Sequence, residues 1–455
     1  MRDRIRALKD GAGEFEHYLD NSGTSNLPIR LRARLTVRGD EVEADFTGSA
    51  SQVKGPINLG PAGGPTAAFM ILKAFLDPGG PINAGAFRPL TVRAPKGTLV
   101  NAELPAACGG VAEVLANLAY TLVGALARIA PDLVVGEFKG GANHTYISTR
   151  SGGGHAIFYE YPAGGTGAAR GRDGSNTCRT WMEGDFSSIQ TVEAVENEFP
   201  LRIERFGLRD DSAGPGETRG GFGLRRDVRL LAEGGELTVL TDNSIFPPYG
   251  VHGGGAGAGN RYRVIRRGKY IEPSPTPGKV SGFPLEREDI VVMETGGGGG
   301  YGDPLAREPG RVAVDVAAGY LTRRYAREEY GVVLRRGKVD AAATAAERKR
   351  IEARRLRLKI RKGKSPGPAG GPDSDPVFPL ALHPRDARGH RLREGEIAEA
   401  AGRTPTPLPV RIRFDESVPR GEARLSGEAI RILDLQRGGT AWIRSLAGRC
   451  APSAG

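Results

Sequence analysis

The chain has 455 residues, a length that normally divides into two or more domains. Its 68 glycines and 32 prolines predict a strand-rich, loop-rich globular protein in which disorder is local. The formal net charge is +11, but the segment from Glu347 to Lys364 alone holds ten Lys and Arg against two Glu, a balance of +8. The rest of the chain is therefore nearly neutral, which disfavours a nucleic-acid-binding protein, and the basic run is interpreted as a solvated helix face or tail.

Cysteine usage and hydropathy indicate the compartment. Cys108, Cys178 and Cys450 are far apart and form no CxxC pair, which is typical of a reducing compartment and disfavours a disulfide framework or a zinc ribbon. The opening residues MRDRIR contain no apolar signal region, and the most apolar stretch, between Glu113 and Arg128, is too short to cross a bilayer. We therefore expect a cytoplasmic protein with no membrane partner.

The first part of the chain mixes strands and helices. Alternating apolar residues from Leu27 to Phe46, interrupted at Arg38-Gly39-Asp40, predict a β-hairpin. Thr66 to Leu76 and Val111 to Ile129 have helical periodicity and are followed by proline-containing breakers. Short apolar runs bounded by glycine or proline predict strands at Leu90–Val92, Leu99-Val100, Tyr146–Ser148, His155–Tyr161, Leu201–Leu208, Asp227–Leu231 and Glu236–Leu240.

The last part changes in composition. Val312 to Glu329 predicts a helix, and Asp340 to Arg361 predicts an alanine-rich, basic one. The stretch SPGPAGGPDSD, from Ser365 to Asp375, is typical of a linker. Strand-like runs follow at Val410–Phe414, Ala423–Leu425 and Thr440–Ile443, and the chain shows no convincing internal repeat.

These elements predict an α+β fold with a β-rich, glycine-rich core, a few packed helices and a small C-terminal β-barrel-like module. The predicted domains are a core over 1–334, a basic helix over 335–364, a linker over 365–376 and the β-rich module over 377–455.

Two glycine-rich strings invite comparison with phosphate-binding loops. Gly296–Gly300 is not followed by Lys and Ser or Thr, and before Gly363-Lys364-Ser365 the position of the first glycine is taken by Leu358. We therefore expect no nucleotide on this chain. The glycines instead predict positive φ angles and close backbone packing.

Candidate ligand-binding residues lie on glycine-rich loops, where functional groups are often placed. They are Asn143 and His144 after GGA, Asp173 in RGRDG, and Tyr249 and His252 in PPYGVH. The nearby arginines would allow Asp173 to take part in orienting an amide or carboxylate ligand, and a tight Asp-Gly turn with surface arginines is the alternative. For the histidines the alternative is a structural or solvated role. None of the six histidines has the spacing of a local metal site, and no Gly-x-Ser-x-Gly elbow or neighbouring Cys–His pair is present.

Several motifs become informative through their order. The chain contains, in succession, ADFTGS (44–49), GPIN (55–58), PINAG (81–85), FPLR (199–202), DSAGPG (211–216), RGGFG (219–223), FPPYG (246–250), TGGGGGYGDP (295–304) and YGV (330–332). Together they resemble the hydantoinase B/oxoprolinase family, which includes large subunits of acetone carboxylase-like enzymes. The resemblance runs from about Gly11 to about Arg355.

The resemblance implies a subunit of an ATP-dependent cyclic-amide hydrolase or related carboxylase within a hetero-oligomer. A hydantoinase A-like ATPase subunit would bind MgATP, while this chain would contribute a substrate pocket and a subunit interface without a cofactor of its own. Asn143, His144, Asp173, Tyr249 and His252 would then contact substrate. Family members carry an N-terminal Asp-Pro-Tyr-x-Gly-Gly-Thr-His-type motif where a metal is expected, and nothing in Met1–Glu43 matches it. We expect either a separate chain that supplies this region or a non-catalytic scaffold that has lost the metal chemistry.

Overall fold

The computed structural model describes residues 1–151, 154–178, 189–363 and 374–450. The chain forms two compact units, each assembled from separate stretches. The first comprises Met1–Val135, Val251–Gly253 and Arg350–Ala447, and the second comprises Gly136–Gly250, Gly254–Lys349 and the residues from Gly448 onward. Strands and helices are mixed in a strand-rich α+β fold, as predicted.

The bounds of the elements follow the chain. The helices are α1 (Arg2–Arg6), α2 (Gly63–Leu76), α3 (Ala84–Phe87), α4 (Val111–Leu126), α5 (Val192–Glu198), α6 (Pro309–Ala317), α7 (Arg323–Tyr330), α8 (Ala341–Ala353), α9 (Pro384–Gly389) and α10 (Gly427–Ile432). The strands are β1 (Gly11–Leu19), β2 (Ile29–Arg38), β3 (Glu41–Asp45), β4 (Leu90–Arg93), β5 (His144–Ser151), β6 (Gly154–Glu160), β7 (Leu201–Leu208), β8 (Leu224–Leu230), β9 (Gly234–Leu240), β10 (Arg261–Arg266), β11 (Lys269–Ile271), β12 (Lys279–Glu286), β13 (Ile290–Glu294), β14 (Leu334–Arg335), β15 (Lys338–Val339), β16 (Leu356–Lys362), β17 (Pro379–Leu382), β18 (Ile397–Ala401), β19 (Leu408–Phe414), β20 (Glu422–Leu425) and β21 (Thr440–Ser445).

The first unit begins with a four-stranded sheet in the order β1-β2-β3-β4. The predicted hairpin is confirmed as β2 and β3, and the two predicted helices are confirmed as α2 and α4. Helix α4 packs against β1 with almost no separation: a Cβ on Gly124 would lie 2.1 Å from the Phe15 ring, and one on Gly13 would lie 2.0 Å from the Ala125 carbonyl oxygen. The strand predicted at Leu99-Val100 is wrong, because these residues form loop hydrogen bonds with Leu59 and Ala50 instead.

The second unit contains two antiparallel sheets, β11-β10-β13-β8-β7 and β12-β9-β5-β6. Alternate residues of these strands share one buried apolar core, which is the arrangement expected of strands that bury one face. This core includes Ile147, Phe158, Val228, Leu237, Val239, Val264, Val291 and Met293.

Glycine-rich segments of the second unit form a bundle outside these sheets. The amides of Gly297 and Gly300 donate to the carbonyls of Ala258 and Gly255, both at 3.0 Å. Those of Gly298 and Tyr301 donate to Gly221 and Thr218 at 3.0 and 2.9 Å. Every third residue thus returns to the same neighbouring segment, which is the periodicity of a polyproline II-type helix with three residues per turn. We call these segments, centred on 296–300, the glycine bundle.

The glycine bundle explains why these positions lack side chains. A Cβ on Gly298 would lie 1.9 Å from the Thr166 carbonyl oxygen, and one on Gly299 would lie 1.8 Å from that of Tyr249. None of the five glycines from 296 to 300 has a positive φ. Close backbone packing is therefore confirmed for this string, whereas the expected positive φ is wrong there.

Replacement of Gly299 by alanine should destabilise the second unit by at least about 3 kcal/mol, because backbone atoms on several segments would have to move. Gly207 in β7 is the matched control, since a Cβ there meets nothing within 4 Å. Thermal unfolding measures both. Gly207→Ala should change stability by about 1 kcal/mol or less, and a Gly299→Ala protein that melts like wild type would contradict the packing.

Two helix predictions require correction. The helix expected over Val312–Glu329 is two helices, α6 and α7, because Gly319 adopts a φ of 77° and the Thr322 side chain caps the second helix. The basic helix expected over Asp340–Arg361 ends at Ala353, and Leu356–Lys362 is strand β16. Leu356, Leu358 and Ile360 are buried alternately, which is the period of a strand.

The expected C-terminal module is confirmed as a closed six-stranded barrel in the order β16-β20-β17-β19-β18-β21. Its first strand, β16, lies within the segment predicted to be helical. Residues 364–373, which hold most of the linker predicted over 365–376, lie outside the described residues.

The barrel contains an internal repeat that sequence inspection missed. Strands β16, β17 and β18 have the same pairing pattern as β19, β20 and β21, with parallel pairs β16–β20 and β19–β17. Where the halves meet, the paired residues Ala381–Arg424 and Ala400–Ile443 are each separated by 43 positions. Helices α9 and α10 occupy equivalent places, so the expectation of no internal repeat is wrong.

One end of the barrel joins β1 and β2 through charged side chains of the first unit. Arg32 donates to Glu428 of α10 at 2.5 Å, and Arg431 of α10 donates to Glu14 of β1 at 3.0 Å. Glu16 lies next to these pairs and is wholly buried. Its Oε2 accepts from Tyr18 at 3.2 Å, while its Oε1 lies 3.8 Å from Arg32, beyond hydrogen-bond distance.

This geometry makes the two carboxyls titrate differently. Burial raises the pKa of Glu16 to about 7, an effect that Glu428 reinforces and Arg30 and Arg32 only partly offset. Burial also acts on Glu14, but Arg431, Arg32 and Arg34 outweigh it and lower the pKa. The folded chain therefore keeps a proton on Glu16 that the unfolded chain releases, so stability from this group is lost as pH rises from about 4.5 to 7.

Glu16→Gln should raise the stability of the chain above pH 7 by up to about 3 kcal/mol and leave it unchanged below pH 4.5. Glu14→Gln, two residues away on the same face of β1, should destabilise the chain at neutral pH because it removes paired charge. Denaturant unfolding of both variants from pH 4 to pH 8 measures the effect. A Glu16→Gln curve parallel to that of wild type would contradict this assignment.

Candidate functional site

Loops at one end of the two sheets of the second unit bring together a buried polar cluster. They are the loop before β5, the loop after β9, the residue before β10 and the first residue of β12. We call the cluster the polar cluster, and its side chains are at most 7 % exposed. Its members are Glu137, Lys139, Asn143, Thr241, Asp242, Asn243, Ser244, Asn260 and Lys279.

Asn143 lies at the centre of this cluster in a left-handed conformation, with a φ of 58°. Its Nδ2 donates to Asn260 Oδ1 at 2.8 Å, and its Oδ1 accepts from Thr241 Oγ1 at 2.5 Å. Asn260 in turn donates to the carbonyls of Lys139 and Asp242 at 2.8 and 2.6 Å. The amides of Asn143 and Asn260 thereby tie three loops together.

The charges of the polar cluster have partners within the same unit. Lys279 Nζ lies 2.9 Å from Asp242 Oδ2, which pairs two buried opposite charges. Glu137 accepts from Asn243 Nδ2 at 3.2 Å and from the backbone amide of Tyr249 at 3.1 Å. Removal of one member would leave a buried partner uncompensated, which is far more costly than removal of an exposed charge.

His144 follows Asn143 and lies at the edge of the cluster on a partly exposed aromatic face. Its Nδ1 is 2.8 Å from the Tyr159 hydroxyl, and its ring is within 3° of parallel to that of Tyr161 at a centroid distance of 5.3 Å. Tyr146 stacks on Tyr159 at 4.7 Å, and both rings are more than one third exposed. Lys139 Nζ lies 5.6 Å from the Tyr161 ring centroid, so the aromatic face continues into the polar cluster.

Asp173 belongs to a different group of charges in the second unit. Both of its oxygens accept from Arg307, at 2.8 and 2.9 Å, and Arg311 donates to it at 2.8 Å. Arg307 and Arg219 also pair with Asp315. Burial alone would raise the pKa of Asp173, but the guanidinium of Arg307 and its neighbours lower it. The arginines that meet Asp173 thus come from distant parts of the chain and not from the RGRDG string.

Tyr249 and His252 lie in different units although they are close in sequence. Tyr249 is 3 % exposed, and its backbone exchanges hydrogen bonds with Glu137. His252 adopts a φ of 53°, its Nε2 lies 2.8 Å from the Pro131 carbonyl, and its amide donates to Pro405. The polar cluster therefore brings Asn143, His144 and Tyr249 together, whereas Asp173 and His252 have other surroundings. The role of all five in substrate binding stays a prediction.

Sequence inspection missed most of the polar cluster. Lys139 and Asn260 are 121 positions apart, and Asp242 and Lys279 belong to strings with no recognised motif. Such pairs carry no local signal. The glycines beside Lys139 and Asn260 were the available hint, because they allow a backbone to approach closely.

Among residues 1–151, 154–178, 189–363 and 374–450, no three His, Cys, Asp or Glu side chains gather closely enough to hold a metal ion. The described residues therefore do not fit the metal that the family resemblance implies. Of the helices described, none is long and apolar enough to span a membrane.

Asn143→Ala should destabilise the second unit by about 2–4 kcal/mol, because it leaves Asn260 and Thr241 with unmatched buried polar atoms. His144→Ala should cost only about 1 kcal/mol, since its ring is partly exposed and loses mainly aromatic contacts. Denaturant unfolding of the two neighbouring variants measures the difference. Equal losses would contradict the boundary drawn between the polar cluster and the aromatic face.

Comparison with known proteins identifies the family. The model of the Hydantoinase B/oxoprolinase family matches residues 1–304. A putative D-/L-hydantoinase component of the B type from Pseudomonas sp. (strain NS671) is 31 % identical over 353 residues, which cover 73 % of this chain and 57 % of that protein. The crystal structure of the ATP-dependent caprolactamase from Pseudomonas jessenii is similar with a TM-score of 0.64 and 27 % identity, over 76 % of this chain and 61 % of the other.

A nucleotide-free structure of acetone carboxylase shares the fold, with a TM-score of 0.68 and 22 % identity over 77 % of this chain and 54 % of the other. The chain thus spans little more than half the length of these relatives. The match of the family model over two thirds of the chain shows that it belongs to the hydantoinase B/oxoprolinase family.

Proposed function

We propose that this chain is a subunit of a cytoplasmic, ATP-dependent enzyme that opens cyclic amides, and that it contributes a substrate pocket and a subunit interface. The observation that carries the proposal is the aromatic face of His144, Tyr146, Tyr159 and Tyr161, which is held in place by the polar cluster in a chain of this family. A cyclic amide offers a flat, polar amide group that suits both parallel rings and a histidine nitrogen.

An unstrained amide is a poor electrophile, so coupling to ATP provides the driving force for its opening. We assign MgATP to a hydantoinase A-like partner subunit, because neither glycine string of this chain has the spacing of a phosphate loop. The metal expected in the family is assigned to a region outside this chain. Carboxylation of a ketone by the same kind of complex is the related alternative reaction.

Within such a complex, the residues of this chain would bind and orient the substrate. The tyrosine rings would hold the amide plane, and the His144 ring would place a nitrogen at the amide group, where it can donate or accept a proton. The contact between Nδ1 and the Tyr159 hydroxyl fixes the orientation of this ring. The buried Asn143–Asn260 pair would hold the preceding backbone in its left-handed turn.

A non-catalytic scaffold is the second candidate. It is favoured by the inward-facing partners of Asn143 and Asp173, whose polar atoms contact other residues of the chain. In that case the chain would support assembly without contacting substrate. The two candidates differ in what a side-chain change on the aromatic face does to turnover.

The test is ATP-dependent hydrolysis of hydantoin, 5-oxoproline and ε-caprolactam by this chain with its co-expressed ATPase partner. His144→Ala should lower kcat/KM at least about tenfold, because it removes a proton-transferring or hydrogen-bonding group. His155→Ala is the matched control, since His155 is an exposed histidine at the opposite end of the same β5–β6 hairpin. It should leave kcat/KM within about twofold.

Loss of activity with unchanged complex formation and unchanged unfolding would support the catalytic proposal. Full activity of His144→Ala would refute the role of the aromatic face. A complex that assembles but turns over none of the three amides, and carboxylates no ketone, would leave the scaffold as the function.

A further inference from the structure

The repeat of the barrel places two short helices in equivalent positions with opposite surroundings. An offset of 43 residues relates α9 to α10, and it superimposes the His383 and Ser426 caps and the left-handed residues Arg391 and Asp434. The turns even share a backbone hydrogen bond, from Leu392 to Ala387 in one and from Leu435 to Ile430 in the other. Differences between them therefore lie in their side chains.

The α10 turn is a docking surface within the chain. Its three outward charged residues, Glu428, Arg431 and Asp434, each meet an opposite charge from the N-terminal part of the first unit. Glu428 accepts from Arg32 at 2.5 Å, and Arg431 donates to Glu14 at 3.0 Å. Asp434 accepts from Arg128 at 2.9 Å.

The equivalent positions of the α9 turn are Arg385, Arg388 and Arg391. All three are exposed, and within the described part of the chain none forms an ion pair. Arg393 adds a fourth exposed arginine directly after them. The one carboxylate among these residues, Asp386, is buried and already accepts from Arg420 and from the Gly421 amide.

We propose that the α9 turn is a docking site for an acidic segment of a partner polypeptide. The partner would present carboxylates to Arg385, Arg388 and Arg391, as Glu14 does to Arg431 on the sister turn. A surface of three arginines at the spacing of one helical turn and its exit favours acidic side chains over a neutral or basic surface, and arginine can bind each carboxylate with two hydrogen bonds. This proposal does not depend on the chemistry of the aromatic face.

An acidic protein segment is favoured over nucleic acid because the arginines are confined to a single short turn. A nucleic acid backbone requires positive charge along a groove or stripe. Outward arginines elsewhere on the barrel are instead paired within it, as are Arg361 with Glu422 and Arg424 with Asp415.

The test uses the full chain and a fluorescein-labelled peptide of ten glutamates, with binding followed by fluorescence anisotropy at low and moderate salt. The double variant Arg385→Glu, Arg391→Asp copies the residues of the sister turn, so it should fold. We expect it to bind the peptide at least tenfold more weakly than wild type, with a smaller dependence on salt.

The matched control is Arg323→Glu, Arg336→Asp in the second unit, where Arg323 begins a helix and Arg336 has a φ of 50°. Both are exposed arginines, so this variant loses the same charge and should retain wild-type affinity. Equal weakening in the two double variants would reduce the effect to net charge and overturn the proposal. Tighter binding of a labelled ten-residue oligothymidylate than of the glutamate peptide, lost in the first variant, would overturn it in favour of nucleic acid.

Discussion

The second unit depends on backbones that approach one another without side chains between them. In the glycine bundle the amides and carbonyls of neighbouring segments satisfy each other, as buried backbone groups must. A single Cβ at Gly298 or Gly299 would lie within 2 Å of a neighbouring carbonyl oxygen. Sequence freedom is therefore smallest where the chain looks simplest, and the glycine content of 68 residues reflects a packing requirement more than flexibility.

The glycine bundle also explains the position of the polar cluster. Glycine contacts define how close two segments lie but offer no side chains to fix their register. The residues that flank the bundle supply this specificity through side-chain amides and charges, as Asn260 does between Lys139 and Asp242. A satisfied polar network of this kind specifies one arrangement, because any slip would leave a buried polar group without a partner. The same rigidity is what a binding residue such as His144 requires from its support.

The sequence revealed elements whose signal is local and concealed those whose partners are distant. Strand β2 and helix α2 were predicted because their periodicity lies within one element. Strand β16 was mistaken for helix because it follows the alanine-rich α8, and its period of two spans only Leu356, Leu358 and Ile360. Asn143 was found from its glycine loop, whereas Asn260, 117 positions away, had no motif to join it to Asn143. The resemblance to the family succeeded for a related reason, since ordered motifs combine weak local signals.

The barrel separates what its fold requires from what its surface does. Both halves keep the buried leucine after each short helix, Leu392 and Leu435, and the glycine of the following turn, Gly395 and Gly438. Each of these glycines has a φ of 79°, a conformation that favours glycine. The outward positions between them differ completely in charge, with Arg385 opposite Glu428 and Arg391 opposite Asp434. Since the same backbone accommodates both sets, folding does not dictate the arginines of α9. Their clustering on the half of the barrel that is not held against β1 therefore reflects a constraint from outside the fold.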